Sequence, residues 1–262
     1  ATSFLKNKNV ILLDNIVIKR SSKKRELMSS KNILYFNKNF FRDYNVSNKN
    51  TILIKCPRTY RTWYEYITGY GIKKVKSQLN DLHYDYDKGY FIYILGYIGH
   101  LDFLYNKDTI EELIPRTIKL LSQYGRGLPI LIKPHAITDM NILNKILNKY
   151  NYNNVHISYL HPAALAINAK LVVSNYFSVT QSDAHFFGAK TVEYTHYSKL
   201  ALEKTNGESM NPYYIDHFIN NEPKKFQKII EASIKTNKTN KVRNLYEDTS
   251  KSSEVRKYLL NT

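Results

Sequence analysis

Strand-like runs and helix-like segments alternate along the chain from about residue 90 onward. The predicted buried strands are YFIYILGYIG (90–99), LPILIKPH (128–135), NVHISYL (154–160), KLVVSN (170–175) and KTVEY (190–194). The predicted helices are DTIEELIPRTIKLLSQYG (108–125), DMNILNKILNKYN (139–151), PAALAINA (162–169), SDAHFFG (182–188) and PKKFQKIIEASI (223–234). This alternation predicts an α/β fold with a doubly wound, Rossmann-like parallel sheet and right-handed crossovers.

The first part of the chain carries three further β-like runs, which are NVILLDNIVI, NILYF and NTILIKC. The segment RTYRTWYEYITGYGIKKVKSQL (58–79) places aromatic residues at helical spacing, and DLHYDYDKG (81–89) is polar and ends in a glycine, as linkers do. We therefore predict a small α/β lobe over residues 1–88. A Rossmann-like domain over residues 89–262 follows, with a polar tail that ends in a helix.

The formal net charge of +17 is the strongest bulk feature of the chain. Such a charge suits nucleic acid, anionic lipid or phosphorylated ligands, but the lysines are spread along an Asn- and Tyr-rich sequence and also fit an ordinary solvated surface. A single cysteine, Cys56, excludes an intrachain disulfide and a cysteine-based zinc site. Without a signal-like or membrane-spanning run, we expect a cytoplasmic protein, with peripheral contact to the inner face of the membrane as a further option.

The carboxyl ends of the predicted strands carry polar residues, and ligands of open parallel sheets bind at those ends. The first strand exits through Gly96 and Gly99, which allow close backbone approach. The second exits through Lys133 and His135, which suit an anionic group such as a phosphate. An exposed lysine beside a partly buried histidine is the alternative interpretation of that pair.

The third strand exits through Tyr159 and His161, followed by Pro162, which fits the first turn of a helix. The fourth exits through Ser174, followed by Ser178, Thr180 and Asp183 at the start of the next predicted helix; Glu193 stands at the end of the next strand. Hydroxyl groups at a helix start suit a phosphate, and a carboxylate suits a sugar hydroxyl. Simple helix electrostatics would also explain Asp183.

The residues KPH (133–135), HP (161–162) and SNYFSVTQSDAHFFGAKTVEY (174–194) resemble the donor-binding half of GT-B-fold glycosyltransferases. Within that class they are similar to the Kdo transferases and sialyltransferases of bacterial capsule and lipopolysaccharide synthesis. The likeness covers residues 90–197. Two segments depart from the family pattern, since Ala136 replaces a proline and Ala189-Lys190-Thr191-Val192 stands where G-K-P-V is usual.

The resemblance implies a role for each strand-end residue. The donor phosphate would contact Lys133, His135, Ser178 and Thr180. Asp183 would hold the ribose or donor sugar, and the nucleotide base would lie near Tyr159 and His161. Ser174 and Pro162 complete the implied donor site, and Gly96 and Gly99 would form a flexible loop facing the acceptor. His100 and Asp102 are the candidates for the base that accepts the acceptor's proton.

The resulting hypothesis is a metal-independent glycosyltransferase without a cofactor. It would use a nucleotide sugar as co-substrate, first of all a CMP-activated one, and an anionic surface polysaccharide or lipid-linked glycan as acceptor. A sugar-nucleotide epimerase or a glycerol-phosphate-type transferase on the same fold remains an alternative. So does a basic nucleic-acid-binding protein, which the tyrosines would support by stacking on bases, although nucleic acid is the less favoured partner. A catalytically inactive partner subunit is a further alternative, which the short first lobe favours.

Overall fold

The structure is a computed structural model that describes residues 10–13, 25–26, 32–35, 44–45, 50–53, 58, 60–95, 110–136, 138–176, 178, 180–209, 212–235 and 241–243. The chain forms two compact units. The first comprises residues 1–66 and 244–262, and the second comprises residues 67–243.

The first unit contains parallel strand pairs. Strands β1 (Val10–Leu13), β3 (Asn32–Tyr35) and β5 (Asn50–Leu53) form a parallel sheet in the order β1-β3-β5, and β2 (Arg25–Glu26) pairs with β4 (Tyr44–Asn45). Helix α1 (Arg61–Tyr66) is the last described element of this unit. Each of the three predicted β-like runs of this region therefore contains a strand in its described part.

The second unit is built on a six-stranded parallel sheet in the order β11-β10-β9-β6-β7-β8. Counted from β6 along the chain, this is the strand order 3-2-1-4-5-6 of doubly wound dinucleotide-binding folds. The strands are β6 (Tyr90–Ile94), β7 (Ile130–Lys133), β8 (Val155–Ile157), β9 (Ala169–Ser174), β10 (Thr191–Thr195) and β11 (His217–Asn220). The α/β fold predicted from the alternating pattern is thus confirmed.

Helices connect these strands and cover the sheet. A π-helix (Ile67–Gly71) leads into α2, and the later helices follow the strands in turn: α2 (Ile72–Asp81), α3 (Ile110–Tyr124), α4 (Met140–Tyr150), α5 (Pro162–Ala166), α6 (Thr180–Phe186), α7 (Lys199–Thr205) and α8 (Pro223–Lys235). Local signals define their ends. Asp139 caps α4 by accepting from the N–H groups of Asn141 and Ile142, and Asn151 ends that helix in the left-handed conformation.

One face of the sheet carries the large apolar core. Alternate residues of each strand point to that face, where they pack against α3, α4 and α8. Tyr194 on β10 stacks on Phe226 of α8, with ring centroids 4.5 Å apart. The strands contribute Phe91, Tyr93, Ile130, Ile132, Leu171, Val173, Val192, Tyr194 and Ile219 to this core.

The opposite face of the sheet is more polar towards the carboxyl ends of the strands. Ile94, Ser174 and Glu193 are consecutive register partners on β6, β9 and β10, so their side chains share this face. Helix α2 runs antiparallel to the strands beside it. Its Gln78 bonds the carbonyl oxygen of Ile157 at the carboxyl end of β8, whereas Tyr84 reaches the carbonyl oxygen of Asn153 at the amino end.

The predicted and observed elements agree in type along the second unit. Among the described residues beyond β10, helix α7 and strand β11 are elements that the pattern did not predict. The stretch 81–89, predicted as a linker, forms a turn and a 3₁₀ turn (Tyr86–Lys88), and Asn168 donates to the carbonyl oxygen of Tyr86. This stretch lies inside the second unit. The division into lobes 1–88 and 89–262 stays a prediction.

Candidate functional site

The strand order places a topological switch point at the carboxyl edge between β6 and β9, and we use the term crevice for this part of the edge. The chain leaves β6 towards β7 on one side, whereas it leaves β9 towards β10 on the other, so the connections diverge at this point. Ligands of open α/β sheets bind where the connections diverge in this way. Ile94 and Ser174 are register partners at this position, so they form the floor of the candidate site.

A lysine stands on the β7 side of this crevice. Lys133 is the register partner of Ile94 on β7, and it therefore lies about 10 Å, or two strand spacings, from Ser174 on the same face. Burial lowers the pKa of the Lys133 ammonium group, which donates weakly to the carbonyl oxygen of Pro134 at 3.4 Å. A partly desolvated cation at this place suits a ligand anion, because an ionic contact there is screened less by water.

His135 follows two residues later and is exposed. Its backbone N–H donates to the hydroxyl of Thr138 at 2.9 Å, and its carbonyl oxygen accepts from the N–H of Thr138. The two bonds close a tight turn that presents the imidazole to solvent beside the carboxyl edge. The structure thus places Lys133 and His135 on the same exit, as the KPH motif suggested.

At the β9 exit, a residue with a buried hydroxyl is followed by a residue with a buried amide. The Ser174 hydroxyl is fully buried and has no hydrogen-bond partner among the described residues. The next residue, Asn175, is equally buried; it accepts from the hydroxyl of Tyr93 and donates to Thr117 Oγ1 and to the carbonyl oxygen of Tyr194, both at 2.7 Å. Asn175 therefore ties β6, α3 and β10 together beneath the crevice.

Helix α6 begins beside this exit and carries the predicted hydroxyl residues. Ser178 caps it, since its hydroxyl oxygen accepts from the N–H of Thr180 at 3.3 Å and its carbonyl oxygen accepts from the N–H of Gln181. Because the Ser178 hydroxyl acts as an acceptor in this cap, its own proton is left to donate. Asp183 lies in the first turn and is 6% exposed, so it faces inward rather than towards bulk water.

Gln181 is a second buried amide at this edge. Its Nε2 donates to the carbonyl oxygen of Val192 at 3.1 Å, which fixes the orientation of the amide. The other end, Oε1, is buried and has no partner among the residues described. It is thus an acceptor that a water molecule or a ligand hydroxyl would satisfy.

The β8 exit lies at the far side of the edge. His161 caps α5, because its Nδ1 accepts from the N–H of Ala163 at 3.1 Å, and Pro162 occupies the first helical position as the sequence predicted. Tyr159 is 71% exposed and directs its hydroxyl towards the sulfur of Met140 at 3.9 Å. These residues are two strands away from β6, so a ligand would need to extend along the edge to reach them.

Glu193 is placed differently from its sequence-based interpretation as a sugar acceptor. Its side chain is fully buried, and its two oxygens accept from the hydroxyls of Tyr197, at 2.6 Å, and of Ser209. Burial raises its pKa to about 7, and the two hydrogen bonds partly offset that effect. The carboxyl group is therefore occupied by the protein itself.

The remaining predicted residues, Gly96, Gly99, His100 and Asp102, lie outside the described residues. Within the described part of the chain, no group of three or more His, Cys, Asp or Glu side chains is placed to hold a metal ion. The assignment of His100 and Asp102 as candidates for the catalytic base stays a prediction.

Sequence reasoning missed the two buried amides, Asn175 and Gln181. Asn175 ends the predicted strand 170–175 and Gln181 directly precedes the predicted helix 182–188, but a single asparagine or glutamine next to a polar loop has no periodic signal. Asn175 directly after an apolar run was the one available hint, because an amide at a strand end near a core must find partners.

No protein-family model matches this sequence, and no relative is found among curated protein sequences. Similar structures are found, however. The wall teichoic acid polymerase TagF superposes with a TM-score of 0.50 at 12% identity, over 95% of this chain and 66% of that one. A variant of the same polymerase soaked with CDPG gives a TM-score of 0.52 at 14% identity, over 89% and 58%.

These similarities show that the fold is that of GT-B glycosyltransferases. The identity is low, so the likeness concerns the fold alone. The chain spans less than two thirds of the length of either polymerase structure.

Proposed function

We propose that this chain binds a nucleotide-activated sugar at the carboxyl edge of the six-stranded sheet and transfers the sugar to a surface polysaccharide or lipid-linked glycan. One observation carries the proposal. The divergence point between β6 and β9 is flanked on one face by the half-buried cation of Lys133 and by the hydroxyl of Ser174, which no described residue pairs. This pairing suits a ligand that joins a phosphate to a hydroxyl-bearing group.

Lys133 and His135 would then stabilise the negative charge that develops on the leaving nucleotide phosphate. In the transfer, the bond between the sugar anomeric carbon and the phosphate oxygen breaks, and a bond from that carbon to the acceptor oxygen forms. The acceptor hydroxyl loses its proton to a base, for which His100 and Asp102 are the sequence candidates. Charge neutralisation by Lys133 and His135 supports a reaction without a metal.

Donor hydroxyls would meet the residues of the β9 exit. Ser178, Thr180 and Asp183 stand at the start of α6, and Gln181 offers Oε1, an acceptor without a hydrogen-bond donor in the described part of the chain. A ribose or sugar hydroxyl is such a donor. For the base we favour cytosine, as in our sequence-based expectation of a CMP-activated donor; the CDPG soak of the TagF variant supports a cytidine nucleotide more broadly.

A glycerol-phosphate-type transferase is the second candidate. The observation that favours it is the similarity to TagF, a wall teichoic acid polymerase that was soaked with CDPG. Both candidates need the same nucleotide site, because both leaving groups are nucleotide phosphates. They differ in whether the transferred group is attached through carbon or through phosphorus.

A basic ridge, formed by Lys73 and Lys74 beside Tyr70, lies next to this edge. Its positive charge would attract an anionic acceptor or an anionic membrane surface. Tyr70 is 52% exposed, Lys73 and Lys74 are exposed, and the Lys74 ammonium lies 5.3 Å from the centre of the Tyr70 ring. Gln78 of α2 is hydrogen-bonded to Ile157 and Ser158 at the carboxyl end of β8. Because α2 runs antiparallel to the strands, Lys73 and Lys74, one turn before Gln78, lie beyond that end of β8. Among the described helices, none is both long enough and apolar enough to cross a membrane.

The first experiment is a thermal-shift panel of CMP, CDP, UMP, UDP, GDP and ADP. We expect one pyrimidine nucleotide to raise the unfolding midpoint. Lys133→Met should reduce that rise, because it removes the charge and keeps the side-chain length, and Ser174→Ala should do the same. Lys119→Met, on the exposed face of α3, is the matched control and should behave as the wild type.

Each alternative outcome counts against the proposal. A flat panel would remove the nucleotide site and leave the inactive-subunit hypothesis. RNA or DNA binding with a steep salt dependence would support the nucleic-acid hypothesis. A shift that survives Lys133→Met and Ser174→Ala would place the nucleotide elsewhere.

A second experiment tests the basic ridge. Cosedimentation of the protein with vesicles of anionic lipid should fall for the double variant Lys73→Glu, Lys74→Glu, and an unchanged result would contradict a role of the ridge.

A further inference from the structure

A buried carboxyl group fastens both ends of one segment to the sheet. We use the term α7 arm for residues 196–209, which run from the end of β10 through α7 to the turn after it. Tyr197 lies at the start of this arm and Ser209 at its end. Each donates its hydroxyl to one oxygen of Glu193.

The two ends of the arm are themselves buried, while α7 between them reaches solvent. Tyr197 is 2% exposed and Ser209 is 3% exposed, whereas Lys199, Glu203 and Lys204 are exposed. The backbone N–H of Tyr197 also donates to the side-chain oxygen of Asn220 at 2.6 Å. The attachment to Glu193 is thus enclosed, and opening the arm would admit water to the carboxyl group.

We propose that Glu193 is a positioning residue that holds the α7 arm closed against the carboxyl edge when it is protonated, and that its ionisation loosens the arm. The arm begins where β10 leaves the sheet, next to the β9 exit with Ser174. Its position therefore determines the shape of that side of the crevice. The consequence for donor binding rests on the proposed function, whereas the motion of the arm does not depend on that function.

The surroundings of Glu193 determine which protonation state favours the closed arm. Burial is the main cause that raises its pKa to about 7, and the Ser209 and Tyr197 hydrogen bonds lower it in part. No neighbouring charge contributes to this shift among the described residues. The titratable and charged groups on the elements around it are Asp183 and His185 on α6, His196 beside Tyr197, Lys199, Glu203 and Lys204 on α7, Glu208 beside Ser209, Lys170 on β9, Lys190 before β10, Asp216 before β11 and His217 on β11.

Proton linkage then gives the sign. In an open arm the carboxyl group meets water and has its ordinary pKa of 4.5, so the closed form binds the proton more tightly. Closure is fully supported below about pH 4.5, weakens as the pH rises towards 7, and stays weakened above it. Between pH 6 and pH 8 the closing equilibrium constant should fall about tenfold.

Hydrogen–deuterium exchange of peptides within 196–209, corrected for the intrinsic rate at each pH, tests this directly. In the wild type we expect about tenfold less protection at pH 8 than at pH 6. Glu193→Gln cannot ionise and should keep the same protection at both values. Glu203→Gln, an exposed carboxyl on the same arm, is the matched control and should retain the wild-type dependence.

Tyr197→Phe gives a second, independent test. It removes one of the hydrogen bonds that favour the ionised form, so the loss of protection should move to higher pH. A purely structural role would lower protection equally at every pH. Protection in the wild type that does not depend on pH, or a Glu193→Gln variant that depends on pH as the wild type does, would overturn the inference.

The nucleotide readout separates this inference from the proposed function. If a pyrimidine nucleotide binds, its affinity should change with pH in the wild type and not in Glu193→Gln. If no nucleotide binds while exchange of the arm still depends on Glu193, the positioning role stands and the proposed function fails. If a nucleotide binds but arm protection is independent of pH, the proposed function stands and the positioning role fails.

Discussion

Ser174 on β9 and Glu193 on β10 are register partners that share one face of the sheet, but the fold satisfies their polar groups differently. Glu193 has a hydroxyl donor for each of its oxygens, whereas the Ser174 hydroxyl has no partner among the described residues. Both side chains are fully buried. An occupied acid and an unsatisfied hydroxyl thus lie side by side at the edge where a ligand is expected.

The stability of the second unit should depend on pH through Glu193. Its folded pKa of about 7 exceeds the ordinary 4.5, so the contribution of Glu193 to stability is complete below about pH 4.5 and is lost as the pH rises through 7. The full loss is roughly 3 kcal/mol. Glu193→Gln should remove this part of the pH dependence, which urea unfolding at pH 5 and pH 8 measures. A variant with the wild-type difference between these two pH values would contradict the assignment.

Replacement of Asn175 by alanine should destabilise the unit strongly. The change leaves the hydroxyl of Tyr93 and the carbonyl oxygen of Tyr194 without their amide partner inside the core. We expect a loss of about 2–4 kcal/mol in the free energy of unfolding, measured with urea. Asn144→Ala, on the exposed face of α4, is the control and should cost less than about 1 kcal/mol. Equal effects of the two changes would refute the role of the network.

Gly188 and Gly207 form a matched pair for a test of backbone packing. Both have positive φ, 83° and 73°. A Cβ at Gly188 would collide with the carbonyl group of Lys241, whereas no described atom comes within 4 Å of a Cβ at Gly207. Gly207→Ala should cost about 1 kcal/mol from backbone strain, and Gly188→Ala clearly more. Thermal unfolding midpoints compare them, and an equal loss would show that residues 241–243 move aside freely.

Asp216 should stabilise the amino edge of the sheet at neutral pH. It accepts from the backbone N–H of Thr191 at 2.8 Å and lies 3.4 Å from the guanidinium of Arg243 and 3.9 Å from the imidazole of His185. Burial alone would raise its pKa, but the Thr191 bond and the Arg243 and His185 charges outweigh burial and lower it. Its contribution is present above the ordinary value of 3.8 and is lost in acid.

Asp216→Asn should therefore lower the free energy of unfolding by about 1–3 kcal/mol at pH 7 and by much less at pH 3. Urea unfolding at the two pH values measures the difference. Asp81→Asn, an exposed carboxylate at the end of α2, is the control with little expected effect. A loss that is the same at pH 3 and pH 7 would mean that the carboxylate charge is not involved.

The sequence by itself determined the types of the elements and the candidate edge. Hydrophobic periodicity is a local property, so it identified β6 to β10, α3 to α6 and α8. The polar residues that follow each strand were also recognisable, because they directly follow an apolar run in the sequence. Parallel strands bring their carboxyl ends to one edge of the sheet. The amino-acid order alone thus assigns Lys133 and Ser174 to a common edge.

Only the tertiary structure decided which of these residues are neighbours and which are already occupied. Strand order and register depend on contacts between distant segments, and these placed the crevice between β6 and β9 and paired Ser174 with Glu193. The partners of Glu193 come from Tyr197 and from Ser209, beyond α7, a helix that the pattern did not predict. Hydrogen-bond partners of buried groups are set by packing in three dimensions, and the order of residues along the chain does not contain them.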